Sequence, residues 1–251
     1  MPAEKTLAIV LRVIEFSETS CVVRLFTRDF GKLSGLAKGA RRPKSPFEAA
    51  LDLLAVCRLV FIHKSSETLD VLTEARLERR FRSASRDLSR LYAGYYVAEL
   101  LDDLTDENDP HLDLFDIADQ TLLALDSNQA VIPTVLRFEL TALRILGHLP
   151  SLQCCAACGK KVTMHQRVAF GQLAGGVMCS ACRVGSKQIV SVRAETIKIM
   201  QQFADADSVS WQSIKLDRPT WGEVRGVLNH FLRNLLGHQP RIHDYLGLLA
   251  S

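Results

Sequence analysis

The spacing of apolar and polar positions changes character along the chain. Up to residue 80 the apolar residues come in short, β-branched runs. Leu7–Val13 and Cys21–Thr27 are two of them, and Asp29-Phe30-Gly31-Lys32 reads as a hairpin turn into Leu33–Ala37. Leu51–Ile62 and Thr68–Thr73 supply two more, after which Arg76–Phe81 leads out. Five short strands in so small a segment predict a barrel or sandwich. From Leu88 the period becomes three and four. Leu88, Leu91, Tyr92, Tyr95, Tyr96, Leu100 and Leu101 predict one helix, and Asp109-Pro110 interrupts the pattern. Leu112, Phe115, Ile117, Ala118, Leu122 and Leu125 predict a second. Pro133 fits the first turn of a third, whose Leu136, Leu140, Leu143 and Leu146 share a face and which Gly147 and Pro150 end. Arg193–Phe203 and Thr220–Leu236 are two further helical stretches. Neither period holds in between, where cysteines dominate. The expected organisation is an α+β multidomain chain: a β-barrel over 1–80, an all-α domain over 81–150, a metal ribbon over 151–186, and helices over 187–251 that complete the helical domain.

Composition adds little until it is divided. The 251 residues are 24% charged and 47% hydrophobic, an ordinary globular mixture long enough for about two domains. A net charge of +3 does not by itself point to a polyanion. Residues 1–80, however, carry 14 bases and 10 acids, residues 81–150 carry 5 and 12, and residues 151–251 carry 12 and 6. An acidic middle between two basic ends implies separate surfaces for separate partners. No uninterrupted apolar run approaches the roughly 18 residues of a membrane span. Met1-Pro2-Ala3-Glu4-Lys5 lacks the basic and apolar regions of a secretory signal. The expectation is a cytoplasmic protein whose thiols stay reduced.

Five of the seven cysteines fall within 29 residues: Cys154, Cys155, Cys158, Cys179 and Cys182. Cys155-x2-Cys158 and Cys179-x2-Cys182 are two knuckles, each presenting two sulfurs from one tight loop, and together they can close a tetrahedral thiolate site. Val168-Ala169-Phe170, the Gly175-Gly176 turn and Val177-Met178 predict the hairpin that delivers the second pair, and Gly159 permits a close backbone approach. The reading is a zinc ribbon with a structural Zn2+, because four protein ligands leave no open position. The competing reading is four buried or redox-active cysteines, and Cys154 could replace Cys155 in a C-x3-C spacing. Cys21 and Cys57 sit in apolar runs and read as packing residues.

Arg24 to Lys44 is the second informative stretch. Arg24, Arg28, Lys32, Lys38, Arg41, Arg42 and Lys44 stand against a single acid, Asp29. The Lys38–Ser45 part holds glycine, proline and serine and little apolar content, so it reads as a loop able to track a phosphate backbone. It is no nucleotide P-loop, since no G-x4-G-K-[ST] occurs. Phe16, Phe26, Phe30 and Phe47 are available for base stacking or for the barrel core. Asp102, Asp103, Asp106, Glu107, Asp109, Asp113 and Asp116 read as a solvated face at helix ends rather than as a metal-nuclease cluster. No HExxH and no G-x-S-x-G occurs, and nothing in the sequence requires an enzyme.

Three passages combine into a further signal. One is Gly31-Lys32-Leu33 through Ala37-Lys38-Gly39-Ala40-Arg41-Arg42-Pro43-Lys44-Ser45, followed by an apolar strand pair ending in Leu72-Thr73-Glu74-Ala75. Another is Leu149-Pro150 with Cys155-Ala156-Ala157-Cys158-Gly159, then Gly175-Gly176 and Cys179-x2-Cys182. The last is a final helix with Leu232, Leu235, Leu236 and Gly237 before a short tail. Together they resemble the bacterial recombination mediator family RecO over essentially the whole chain. The resemblance implies an N-terminal OB-fold, a helical domain and a zinc ribbon set against it. It implies binding of single- and double-stranded DNA and annealing of complementary strands. It also implies partnership with RecR, displacement of single-stranded-DNA-binding protein and indirect help in loading RecA, without catalysis, in the bacterial nucleoid. The basic OB segment of the family falls on Lys38, Arg41, Arg42 and Lys44. The tail His238-Gln239-Pro240-Arg241-Ile242-His243 departs from the family by lacking a basic stretch. The alternative function is a zinc-ribbon adaptor in transcription or RNA handling. No heptad seam marks a dimer, so a monomer is expected.

Overall fold

The computed structural model describes residues 2–47, 50–64, 69–83, 87–127, 129–205, 210–242 and 245. The chain forms two compact units, residues 1–131 and 132–251. The first opens with β1 (Glu4–Glu15), β2 (Cys21–Thr27), β3 (Gly31–Ala37), β4 (Val56–Ile62) and β5 (Asp70–Arg79). They close a barrel in the order β1-β2-β3-β5-β4, antiparallel throughout except for the parallel β3–β5 pair, which is an OB-like barrel. β1 can pair with both β2 and β4 because its register shifts between Val10 and Arg12, and such a bulge bends a strand. Val10, Val23, Leu25, Leu33, Leu59, Phe61 and Leu72 fill the interior. Burying each removes it from water at a gain of roughly 1.5–3 kcal/mol.

Two expected strands are revised. The run from Leu51 is not strand until Val56: Leu54 takes a left-handed φ of 64°, and its N–H donates to the Val10 carbonyl at 2.9 Å. The apolar content of that run fills the core from a turn. At the other end β5 continues to Arg79 rather than ending at Thr73, with Ala75 buried and Glu74 and Arg76 exposed as a strand period requires. Thr68, where the expected strand began, lies outside the described residues.

The same unit holds α1 (Leu88–Leu104) and α2 (Leu112–Leu125). Asp87 caps α1 by accepting from the Ser89 N–H at 2.9 Å. Arg90 then reaches the carbonyls of Leu125 and Gln129, at 2.9 and 3.0 Å, tying the start of α1 to the end of α2. Phe115 of α2 stacks on Phe26 of the barrel with ring centroids 6.2 Å apart.

The second unit contains α3 (Val131–Ile145), a three-stranded sheet, and helices α4 (Ala194–Ala204) and α5 (Arg218–Leu236). The sheet, β6 (Arg167–Gly171), β7 (Gly176–Met178) and β8 (Ile189–Arg193), has the order β7-β6-β8. Val168, Phe170, Val177 and Val192 of the sheet share one core with Leu136 and Leu140 of α3, Ile197, Met200 and Phe203 of α4, and Val224 and Leu228 of α5. The ribbon is thus packed with the C-terminal helices, as expected. No helix among the described residues is long and apolar enough to cross a membrane.

Candidate nucleic-acid interface and metal centre

The seven bases expected to face DNA divide into two sets. Arg24 on β2, Arg28 in the turn after it and Lys32 on β3 meet α1 and α2. Arg24 Nη1 donates to both Asp102 oxygens at 3.0 and 3.2 Å, and Arg28 grips Asp116 with two parallel bonds of 3.0 and 3.1 Å. Lys32 is buried, 7% exposed, and its ammonium reaches the carbonyls of Asp102 and Thr105. Arg79 pairs with Asp119 in the same way. The expected solvated acidic face is therefore corrected at Asp102 and Asp116, which together with Asp119, outside that expected set, are ionic partners of the barrel. The approach is close. Gly31 has φ +70°, and a Cβ there would stand 2.2 Å from the Asp109 carbonyl oxygen, so only glycine fits.

Lys38, Arg41, Arg42 and Lys44 form the other set. All four are exposed on the segment that leaves β3. That segment is folded rather than loose. The Arg42 N–H donates to the Gly39 carbonyl at 3.0 Å, the Arg41 N–H to the Thr19 carbonyl at 3.0 Å, and the Gly39 N–H to Ser20 Oγ at 3.2 Å. Phe47, 3% exposed, anchors its far end in the barrel core. Arg41 also pairs with Glu15 at 2.9 Å. The segment thus lies against the β1–β2 hairpin, whose Val13, Ile14 and Phe16 are exposed. Of the four phenylalanines considered for stacking, Phe26 and Phe47 are core, and Phe30 packs edge-on against Phe61 at 5.2 Å. Phe16, 64% exposed, stands beside Arg41 in a shallow cleft lined also by Glu15, Ser17 and Glu18.

In the other unit, the thiols of Cys155, Cys158, Cys179 and Cys182 lie within 4.8 Å of one another and could hold a metal ion. Cys158 and Cys179 sulfurs are 3.8 Å apart, which matches the edge of a tetrahedron built on Zn–S bonds of about 2.3 Å. The knuckles are made by backbone bonds: the Cys155 N–H donates to the Lys160 carbonyl at 2.8 Å, and the Arg183 N–H to the Cys179 carbonyl at 3.1 Å. Gly159 turns the first knuckle with φ +71°. The backbone N–H of Cys179 holds the Cys155 thiol down to about 6, and the N–H of Cys182 lowers Cys179. The Cys182 thiol is pushed up to about 12 by donating to the sulfurs of Cys179 and Cys158. Four sulfurs this close share protons when no cation offsets their charge; a divalent ion would take all four as thiolates. Cys154 is exposed and outside the group, so the C-x2-C spacing is the one the fold brings together. Cys21 and Cys57 are buried, and burial pushes the Cys57 thiol up to about 12.

Family models for Recombination protein O match both parts of the chain, the N-terminal model over residues 1–81 and the C-terminal model over residues 85–242. The chain belongs to the RecO family. Relatives named DNA repair protein RecO include one from Rhodopirellula baltica, 39% identical over 96% of this chain and 97% of its own length. Another, from Anaeromyxobacter dehalogenans, is 31% identical over the full length of both chains. A third, from Myxococcus xanthus, is 29% identical over 96% of this chain and 95% of its own. The N-terminal RecO match takes in the barrel and the exposed basic segment, and the C-terminal match takes in all four clustered cysteines. In this RecO chain the division of the bases was not readable from spacing, because the acids they meet lie about 70 to 90 residues downstream.

Proposed function

We propose that this chain is a non-enzymatic DNA-binding mediator of recombinational repair that anneals complementary single strands. In this reading it works with RecR on DNA coated by single-stranded-DNA-binding protein and so promotes RecA loading. The observation that carries the reading is the anchored segment from Lys38 to Lys44, which turns four cations outward from an OB-like barrel. Lys38, Arg41, Arg42 and Lys44 are the phosphate contacts. Arg24, Arg28 and Lys32 hold α1 and α2 to the barrel instead, since their charges meet carboxylates and carbonyls of those helices, whereas the one partner of Arg41, Glu15, is itself an exposed side chain of the hairpin. Phe16 is the stacking platform for unpaired bases. Cys155, Cys158, Cys179 and Cys182 hold a structural Zn2+ that fixes the ribbon.

The mechanism needs no bond-making group. Two strands repel each other through their phosphates. A cationic loop that displaces condensed counterions lowers that repulsion and raises the local concentration of strands. Stacking on Phe16 would keep bases unpaired until a complement arrives.

Binding of labelled oligo-dT as a function of salt tests the assignment. R41E/R42E should weaken binding and reduce the log–log salt slope by about 0.7 for each lost contact. F16A should lose about 1–3 kcal/mol on single strands and far less on duplex. Wild-type affinity and slope in R41E/R42E at low salt would remove the loop from the interface. Stronger binding of RNA than of DNA would favour the adaptor reading.

A further inference from the structure

The charge of the two units is not what the barrel's basic segment suggests. Residues 1–131 carry 17 bases and 21 acids, whereas residues 132–251 carry 14 bases and 7 acids. The excess in the second unit is concentrated. From Ser151 to Arg193 there are six bases (Lys160, Lys161, Arg167, Arg183, Lys187 and Arg193) and no acid at all. Arg167 and Arg193 both turn to Glu223 of α5, at 3.4 and 2.9 Å, and pin the sheet to that helix. Lys160, Lys161, Arg183 and Lys187 are exposed, and no carboxylate pairs with them among the described residues.

These four side chains leave the backbone at the two knuckles. The Lys160 carbonyl receives the Cys155 N–H, and Lys161 bridges to Cys154. The Arg183 N–H donates to the Cys179 carbonyl. Ser186, next to Lys187, donates its hydroxyl to the Cys182 carbonyl at 2.7 Å. Because the four cysteine sulfurs lie within 4.8 Å of one another, the cations emerge at one end of the ribbon. A divalent ion held by four thiolates carries a net charge of about −2, so four cations exceed what the centre itself needs. They sit on long flexible stems at exposed positions, which suits the repeating charge of a phosphate backbone rather than one fixed anion.

We infer that the knuckle end of the ribbon, through Lys160, Lys161, Arg183 and Lys187, is a second phosphate-backbone contact. One chain would then carry a nucleic-acid surface in each of its two units. The inference rests on the reading that this protein handles DNA, but it uses none of the loop residues. It also supplies what annealing needs, a site for each of two strands.

The test uses the full, zinc-loaded chain, labelled oligo-dT and a pair of complementary strands. K160E/K161E and R183E/K187E should each lower the log–log salt slope by roughly 1.4, about 0.7 per lost contact. Each should slow annealing more than it weakens binding of a single strand. K160R/K161R should restore the slope. Wild-type slope and annealing rate in both reversals, with one zinc per chain retained, overturn the inference. If a reversal loses its metal, K160Q/K161Q decides at full metal content: a reduced slope supports the contact and an unchanged one overturns it. Loss of binding to polyglutamate with oligo-dT binding intact also overturns it, in favour of an acidic protein. The two surfaces separate cleanly. Binding lost in the knuckle variants but kept in R41E/R42E removes the loop and leaves the inference standing, and the reverse pattern removes the inference alone.

Discussion

Lys32 carries its ammonium to the carbonyls of Asp102 and Thr105, where α1 ends and carbonyls lack helical partners. A cation there is favoured by the helix dipole as well. The strongest single-residue commitment is in the other unit. Glu139 of α3 is fully buried and pairs with Arg225 of α5, which also bonds Asn229 and lies 5.4 Å over the Trp221 ring. Removing one partner strands a charge in the core. E139A should therefore cost about 3–5 kcal/mol, read from the denaturant midpoint, and a loss below about 1 kcal/mol would place the pair among surface-like bridges. Acid sensitivity is set by carboxylates that ionise more easily folded than unfolded. The Arg28 guanidinium lowers Asp116, the Ser89 hydroxyl lowers Asp87, and the Thr220 hydroxyl lowers Asp217 at the cap of α5. In Glu223 burial opposes ionisation, but bonds from Thr196 and Arg193 outweigh it. With folded values below unfolded ones, the stabilisation is complete above the usual carboxylate range, near pH 4, and is lost as pH falls through the folded values. The denaturant midpoint should hold steady from neutral pH to about pH 5 and fall below about pH 4. A midpoint that rises on acidification would contradict these assignments.

The elements were legible where a period is sustained. α1, α2 and α3 begin and end within a few residues of the apolar pattern, and Asp87 and Asp217 cap α1 and α5. The hairpin of β6 and β7 followed from Gly175-Gly176. β8 was missed, although Ile189-Val190-Ser191-Val192 is β-branched, because five residues between a cysteine knuckle and a helix are too few for a period to show. The run before β4 was misread for the opposite reason: apolar residues that serve the core from a turn look like strand. The four-cysteine cluster was the most legible feature, since each knuckle is local and only the meeting of the two is tertiary. Its contribution is an element-scale prediction. Structural zinc brings roughly 10 kcal/mol or more of folding free energy. Chelation should therefore melt residues 150–185, with loss of their dispersed NMR resonances, while those of the barrel strands persist. Ribbon resonances unchanged in the metal-free chain would show that the Val168, Phe170, Val177 and Val192 core holds the fold without the ion.

At the scale of the whole molecule the near-neutral charge is an average over unlike parts. Acids of α1 and α2 offset Arg24 and Arg28 of the barrel, the Lys38–Lys44 segment is a run of exposed bases on it, and the ribbon segment carries bases without acids. That distribution, with no catalytic grouping required, is what a protein needs to bring two like-charged strands together. The most direct measurement is the rate at which two complementary single strands anneal in the presence of the purified chain, compared with R41E/R42E, at several salt concentrations. The account predicts acceleration by the wild-type chain that fades as salt rises, and a much smaller acceleration by the variant. Annealing no faster with the wild-type chain than without protein, or equally fast with both proteins at every salt concentration, would contradict it.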